Sequence, residues 1–223
     1  TNAGSIQNKG FEALVRLTPV MMNDFKWNVV LNYSTFESEI LSLGNDATGT
    51  AIQYLNQMSP QGGVSIGGQV GEPYGVIRGH AHVRDANGDK VLRVRSGSYD
   101  YAHYLRTSNS NNVIGDINPD WTGSVRNTFT YKNFDLSFLI DIQQGGDFFS
   151  LDTWYGYGTG AYDRSVGLNH LGNDMRLTIP NGGGKLLDGV ILPASATITD
   201  GVADVAGTQN TDVMSRYDYY ANP

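Results

Sequence analysis

An all-β, antiparallel fold is predicted by three features of the sequence. Four stretches alternate apolar and polar residues, helical periodicity is nearly absent, and 28 Gly punctuate 223 residues. The first stretch, about 5–18, sets Phe11, Ala13, Val15 and Leu17 against Glu12, Leu14, Arg16 and Thr18. The second, about 25–36, sets Phe25, Trp27, Val29, Leu31 and Tyr33 against Lys26, Asn28, Val30, Asn32 and Ser34. The third, about 121–131, sets Trp121, Gly123, Val125, Asn127, Phe129 and Tyr131 against Thr122, Ser124, Arg126, Thr128 and Thr130. The fourth, about 134–143, sets Phe134, Leu136, Phe138, Ile140 and Ile142 against Asp135, Ser137, Leu139, Asp141 and Gln143. Leu14, Val30, Asn127 and Leu139 are the exceptions to the pattern.

The connections are unequal. Pro19–Asp24 and Lys132-Asn133 are short enough to make two antiparallel hairpins. Residues 38–119 and 144–223 are long Gly-rich loops, and loops of that length are usually functional. Inside the first loop a further hairpin is expected, running from Gly75 to Arg84, turning at Asp85-Ala86-Asn87-Gly88-Asp89 and returning through Val91, Arg93 and Arg95.

Composition narrows the class. No Cys means no disulfide scaffold. A net charge of −7 without a basic block argues against nucleic acid as a partner. No apolar run is long enough for a transmembrane helix. No signal peptide or lipidation box is visible, and the first residues read as mid-chain sequence.

Two readings of the alternation stand. A soluble β-sandwich, binding carbohydrate or protein at a cell surface, would bury the apolar face as a core. A membrane barrel would turn that face to lipid and the polar face to a lumen. Strand length, aromatics at the strand ends, and short turns opposite long loops favour part of a large transmembrane β-barrel with extracellular loops. Four strands cannot close, because open edges in hydrocarbon cost several kcal/mol per unpaired group. The chain is therefore expected to be a piece of a longer polypeptide.

The residues that bound these strands resemble the SusC/RagA family of TonB-linked outer-membrane proteins. The resemblance is carried in order by Asn8-Lys9-Gly10-Phe11-Glu12, Asp24-Phe25-Lys26-Trp27, Asn32-Tyr33-Ser34 and Ile114-Gly115-Asp116-Ile117-Asn118-Pro119-Asp120-Trp121. It continues through Tyr131-Lys132-Asn133-Phe134-Asp135-Leu136-Ser137, Ile140-Asp141, Gly145-Gly146-Asp147-Phe148-Phe149-Ser150 and Asp188-Gly189-Val190. It implies a late portion of a 22-stranded barrel in the cell outer membrane, importing glycan or peptide fragments. It also implies a SusD-like surface lipoprotein as lid, and energy from the TonB complex through an N-terminal part. A plug domain, a TonB-contacting segment and a closing strand are not expected within these residues.

No catalytic constellation, cofactor or metal site is expected. Gly63-Val64-Ser65-Ile66-Gly67 has the G-x-S-x-G spacing, but Pro60 and further glycines leave no helix to complete a nucleophile elbow. Gly156-Tyr157-Gly158-Thr159-Gly160 lacks the context of a dinucleotide fingerprint. His80 and His82 share a strand face, and with His103 they are a poor metal signal. Asp85–Asp89 spaces oxygens like the start of a calcium loop, yet Ser96 stands where the final Glu should be. Arg16, Lys26, Arg126, Lys132, Glu12, Asp135 and Asp141 are expected on the luminal face. Loop aromatics are the candidates for ligand or partner contact: Trp154, Tyr155, Tyr157, Tyr162, Tyr99 and Tyr101, with Tyr104 in the same group. Flat amphipathic rings give contact area at low entropic cost.

Overall fold

The computed structural model describes residues 4–60, 63–97 and 100–215. In chain order the first strands are β1 (Ser5–Met21), β2 (Phe25–Ser42), β3 (Tyr54–Met58), β4 (Ser65–Gln69), β5 (Val76–Gly79), β6 (Val91–Arg95), β7 (Tyr101–Tyr104) and β8 (Asn112–Asp116). Then come β9 (Pro119–Tyr131), β10 (Phe134–Gly145), the α-helix α1 (Leu151–Thr159), and the two-residue strands β11 (Lys185–Leu186), β12 (Val190–Ile191), β13 (Ile198–Thr199), β14 (Val202–Ala203), β15 (Thr208–Gln209) and β16 (Met214–Ser215). The chain divides into two compact units, one of Thr1–Ser59, Ser65–Arg78 and Val113–Phe148, the other of Pro60–Val64, Gly79–Asn112 and Phe149–Pro223.

The first unit is built on an antiparallel sheet in the order β1-β2-β9-β10. Its register sorts the side chains into two unlike faces. On one, Val15, Leu31, Val125 and Ile140 form a row across all four strands, and Leu17, Val29, Asn127 and Phe138 form the next. On the other, Asn32, Ser124 and Asp141 stand in one row and Lys26, Thr130 and Asp135 in another. Cross-strand hydrogen bonds tie this polar face: Thr130 to Asp135 at 2.6 Å, and Thr128 with Ser137 at 3.2 Å. Asn127, the polar residue on the apolar face, accepts the indole N–H of Trp27 at 3.0 Å, which offsets part of its desolvation. All twelve positions of β10 are exposed, and Phe11, Leu136 and Ile140 remain 61%, 62% and 51% accessible. Among the described residues of this unit no second sheet covers the apolar face, and the sheet does not close on itself.

The strands run further than alternation marks them. β1 continues through Pro19 to Met21 because the pairing slips between Leu17 and Val20, so the residue without an N–H falls at a bulge. At their far ends β1 and β2 stay paired to Ser5 and Ser42, with Lys9 directly opposite Glu37. Backbone pairing needs no apolar face, so polar residues carry the hairpin on. The turn between β9 and β10 places Lys132 at φ 52°, a left-handed conformation uncommon outside Gly. Its Nζ lies 5.5 Å above the Tyr131 ring. Lys132 therefore belongs to the turn and not to the polar face expected for it.

The expected hairpin from Gly75 to Arg95 is mostly replaced. β5 pairs with β4, whereas β6 pairs with β7 and, in parallel, with β12. What survives is the tight turn: Asp85 N–H donates to Asp89 O, and Val91 N–H to Val83 O, each at 2.9 Å. Thr107 pulls the chain away upstream by bonding both the N–H and the carbonyl of Ala81. In the second unit Val83, Val91 and Val190 form one small core, and Leu92, Ala102 and Leu187 another.

The loop segments are held by side-chain-to-backbone bonds. The buried Asp85 carboxylate accepts the N–H groups of Asn87 and Asp89 at 2.9 Å and Gly207 at 2.8 Å. Its oxygens face donors, so this turn is not a calcium loop. The Gly207 bond, with those from Asp89 and Asn87, holds the carboxyl below its ordinary value. A lowered folded pKa contributes stability above the unfolded value of about 4, and that contribution is lost as pH falls through the folded value. Acidification below about pH 4 should accordingly lower the hydrogen-exchange protection factors of the Asn87, Asp89 and Gly207 amides, and Asp85→Asn should remove that loss of protection with pH.

Asn169 works similarly, donating to the carbonyls of Gly182 and Gly184 and accepting from Leu171 and Asn173. A Cβ on Gly183 would sit 1.9 Å from the Leu177 carbonyl oxygen, whereas one on Gly158 meets nothing within 4 Å. Gly183→Ala should cost about 1–3 kcal/mol or more by overpacking. Gly158→Ala should stabilise α1 by up to about 1 kcal/mol. Paired hydrogen-exchange measurements on the two variants test the contrast.

Candidate functional site

Two surfaces of the first unit have functional geometry. On the apolar face aromatic rings form two rows. Near the short turns, Phe25 and Trp27 stack on Phe129, with centroids 6.3 and 5.7 Å apart, and Phe138 lies 6.1 Å from Phe129. Toward the long loops, Phe11, Tyr33 and Trp121 continue a second row at 6.4 and 5.8 Å. The Trp121 ring lies against Gly123, where a Cβ would come within 3.1 Å of it. From Trp27 to Tyr33 the strand climbs about 20 Å at ~3.4 Å per residue. Val29 and Leu31 fill that interval, with Val15, Leu17, Val125 and Ile140 beside them.

Arg16, Val30, Arg126 and Leu139 form one row on the polar face, and Leu14 joins the next. Three of the exceptions to the alternation are thus neighbours, around a shallow cavity of about 580 Å³ that also includes Glu12 and Asn32. Beyond the second aromatic row lies a cavity of about 620 Å³ lined by Lys9, Glu37, Glu39, Asp116 and Asp120. Sequence reading missed this carboxylate-rich hollow, because its residues come from β1, β2, the end of β8 and the start of β9.

The aromatic candidates lie in the second unit. Trp154 and Tyr155 are adjacent on α1, their rings 5.4 Å apart, with Phe149 6.3 Å from Trp154. Tyr155 is 48% exposed. Ser150 starts the helix by accepting the Thr153 N–H at 3.1 Å. Tyr157 lies within the same helix. Tyr162 commits its hydroxyl to Asp152 at 3.0 Å, and its ring occupies the space a Cβ on Gly156 would need. Arg176 and Ser165 bond the Gly160 carbonyl, fastening the end of this segment. Tyr101 is on β7, its ring 6.2 Å from His103. Tyr99 lies outside the described residues. Tyr104 packs edge-on against His82 and donates its hydroxyl to the Asp188 carbonyl at 3.0 Å. The structure therefore gathers Trp154, Tyr155 and Tyr162 and leaves Tyr101 on another element.

The remaining motifs are occupied by the fold. Ser65 of G-x-S-x-G begins β4 with its hydroxyl 2.9 Å from that of Tyr54, and Gly67 lets the Leu55 carbonyl approach. His80 Nδ1 lies 2.8 Å from the Thr107 carbonyl oxygen. Among the described residues no group of three His, Asp or Glu is placed to hold a metal ion.

No family model matches the chain. It is similar to three curated TonB-dependent receptors of Formosa agariphila. Receptor P3 is 28% identical over 163 residues, covering 66% of this chain and 16% of that protein. Receptor P26 is 25% identical over 227 residues, covering 90% and 21%. Receptor P39 is 24% identical over 190 residues, covering 66% and 18%. The chain thus spans about a fifth of the length of the curated relatives it matches. They are named as receptors, not as enzymes.

Proposed function

We propose that this chain supplies part of the wall and outer loops of a TonB-dependent outer-membrane transporter of the SusC/RagA type. The observation that carries the reading is the aliphatic band between two aromatic rows on one face of β1-β2-β9-β10. Membrane strands need about 9–11 residues, and outer-membrane barrels flank their lipid-facing band with aromatic girdles. The face with Lys26, Asn32, Arg126, Asp135 and Asp141 then lines the lumen. The exposed edges of β1 and β10 pair with neighbouring strands of the closed barrel, since unpaired backbone groups in hydrocarbon cost several kcal/mol each. Residues 38–119 and 144–223 form outer loops. The whole receptor imports an oligosaccharide or peptide fragment, with a SusD-like lipoprotein as lid and energy from the TonB complex.

Cysteine labelling in the membrane-embedded receptor tests the register. A water-soluble maleimide should modify Cys at position 135 readily and Cys at position 136 at least about tenfold more slowly, because a one-residue step crosses from lumen to lipid. Equal rates at both positions would remove the membrane reading.

A further inference from the structure

The hairpin β6–β7 carries a second grid of side chains, outside the aromatic cluster on α1. Its pairing puts Arg93 opposite His103 and Arg95 opposite Tyr101. Alternate residues of a strand share a face, so these four side chains form a two-by-two array. Directly opposed side chains have Cβ atoms about 5 Å apart, and residues two apart along a strand are about 7 Å apart. Arg106, just beyond β7, pairs with His82 in an isolated bridge and is exposed. Leu92 and Ala102 point the other way, into the core, so the fold does not need the charges on this face.

The arrangement is unfavourable by itself. Arg93 and Arg95 are exposed neighbours of like charge in a chain whose net charge is −7. The ion pair found among the described residues is Arg78–Glu72, so no carboxylate pairs with Arg93, Arg95 or Arg106 there. Asp100, the acid nearest Arg95 and Arg106 in sequence, is exposed. Burial, then Arg95, Arg93 and Arg106, hold His103 below its ordinary pKa. The Tyr101 and His103 rings lie side by side, 6.2 Å apart and tilted by 36°.

Guanidinium groups recognise carboxylate and sulfate through forked, charge-assisted hydrogen bonds, and flat rings beside them offer a platform for the apolar face of a sugar. We propose that the Arg93–Arg95–Tyr101–His103 face, with Arg106, is a binding site for anionic oligosaccharides bearing sulfate or carboxylate groups. This narrows the cargo of the proposed transporter and rests on that reading for where the solute goes. The binding itself is a property of this chain.

The test uses the full-length protein that contains this chain, in detergent micelles, titrated calorimetrically with a heparin-derived tetrasaccharide, trigalacturonate and neutral maltotetraose. At least one anionic probe should bind, with affinity falling as salt rises, and maltotetraose should bind at least about tenfold more weakly. Arg93→Gln with Arg95→Gln should lower the anionic affinity at least about tenfold while near-ultraviolet circular dichroism stays unchanged. If that pair disturbs the spectrum, Arg106→Gln, outside the strands, should still lower affinity several-fold. Tyr101→Ala should weaken binding while leaving its salt dependence intact. The proposal is overturned by equal affinity for maltotetraose or by undiminished affinity in the folded arginine variants. Binding of tetraglutamate as tight as that of the oligosaccharides would make this a peptide site. Binding of lipopolysaccharide alone would make it a membrane contact. Membrane labelling at positions 135 and 136 is independent of all these outcomes, so loss of this site and loss of the transporter reading are separable.

Discussion

In the proposed membrane-embedded transporter, Ile140→Arg should lower folding stability by about 2–4 kcal/mol, the cost of a cation near the bilayer midplane on a barrel's lipid face. Ile140 stands in the row with Val15, Leu31 and Val125, between the two aromatic rows. It is 51% exposed, so a soluble protein would scarcely register the change; surface substitutions there stay within about 0.5 kcal/mol. Phe134→Arg, at the short-turn end of the same face, should cost only about 0–1 kcal/mol, because that depth is interfacial. Asp141→Arg, one residue away on the polar face, should likewise stay within about 0.5 kcal/mol. Reversible denaturant unfolding into vesicles reads all three. A flat response, with Ile140→Arg no worse than Asp141→Arg, would mean that this face meets water.

The four-stranded sheet was legible because its signal has one period and long repeats. Each of the four strands carries enough alternating positions to separate its faces, and the pairing register keeps those faces together across the sheet. Strand ends were less legible, since past Phe36 β2 continues to Ser42 on backbone pairing, where alternation is lost. Pro19 read as a strand end and proved to lie at a bulge. The loops were the least legible. β11 to β16 have two residues each, too short to show any period. Their order comes from single polar side chains such as Asp85, Asn169 and Asn210, which in the sequence look like ordinary turn punctuation. The same limit hid the arginine face of β6–β7, because the partner of β6 lies across a loop and its second neighbour, β12, is about a hundred residues away.

In the proposed transporter, Trp154→Ala combined with Tyr155→Ala should lower solute uptake at least about thirtyfold, the scale of losing an aromatic hot spot of 2 kcal/mol or more. The two rings are 5.4 Å apart on a helix whose exposed side includes Tyr155, and neither belongs to the buried core clusters found among the described residues of the second unit. A deletion of Trp154–Tyr162 would be a poorer experiment. It would remove the Gly160 carbonyl that Ser165 and Arg176 share, and the Tyr162 hydroxyl that holds Asp152. Loss of uptake would then report a collapsed loop as readily as a lost contact. The alanine pair leaves those bonds in place, so assembly of the barrel, read by heat-modifiable migration, should be unchanged. Co-purification of a surface lipoprotein separates the two roles open to these rings. If they touch the solute, uptake falls with the complex intact; if they dock the lid, complex and uptake fall together. Mutant cells that assemble the receptor and import at the normal rate would show that Trp154 and Tyr155 only pack the loop.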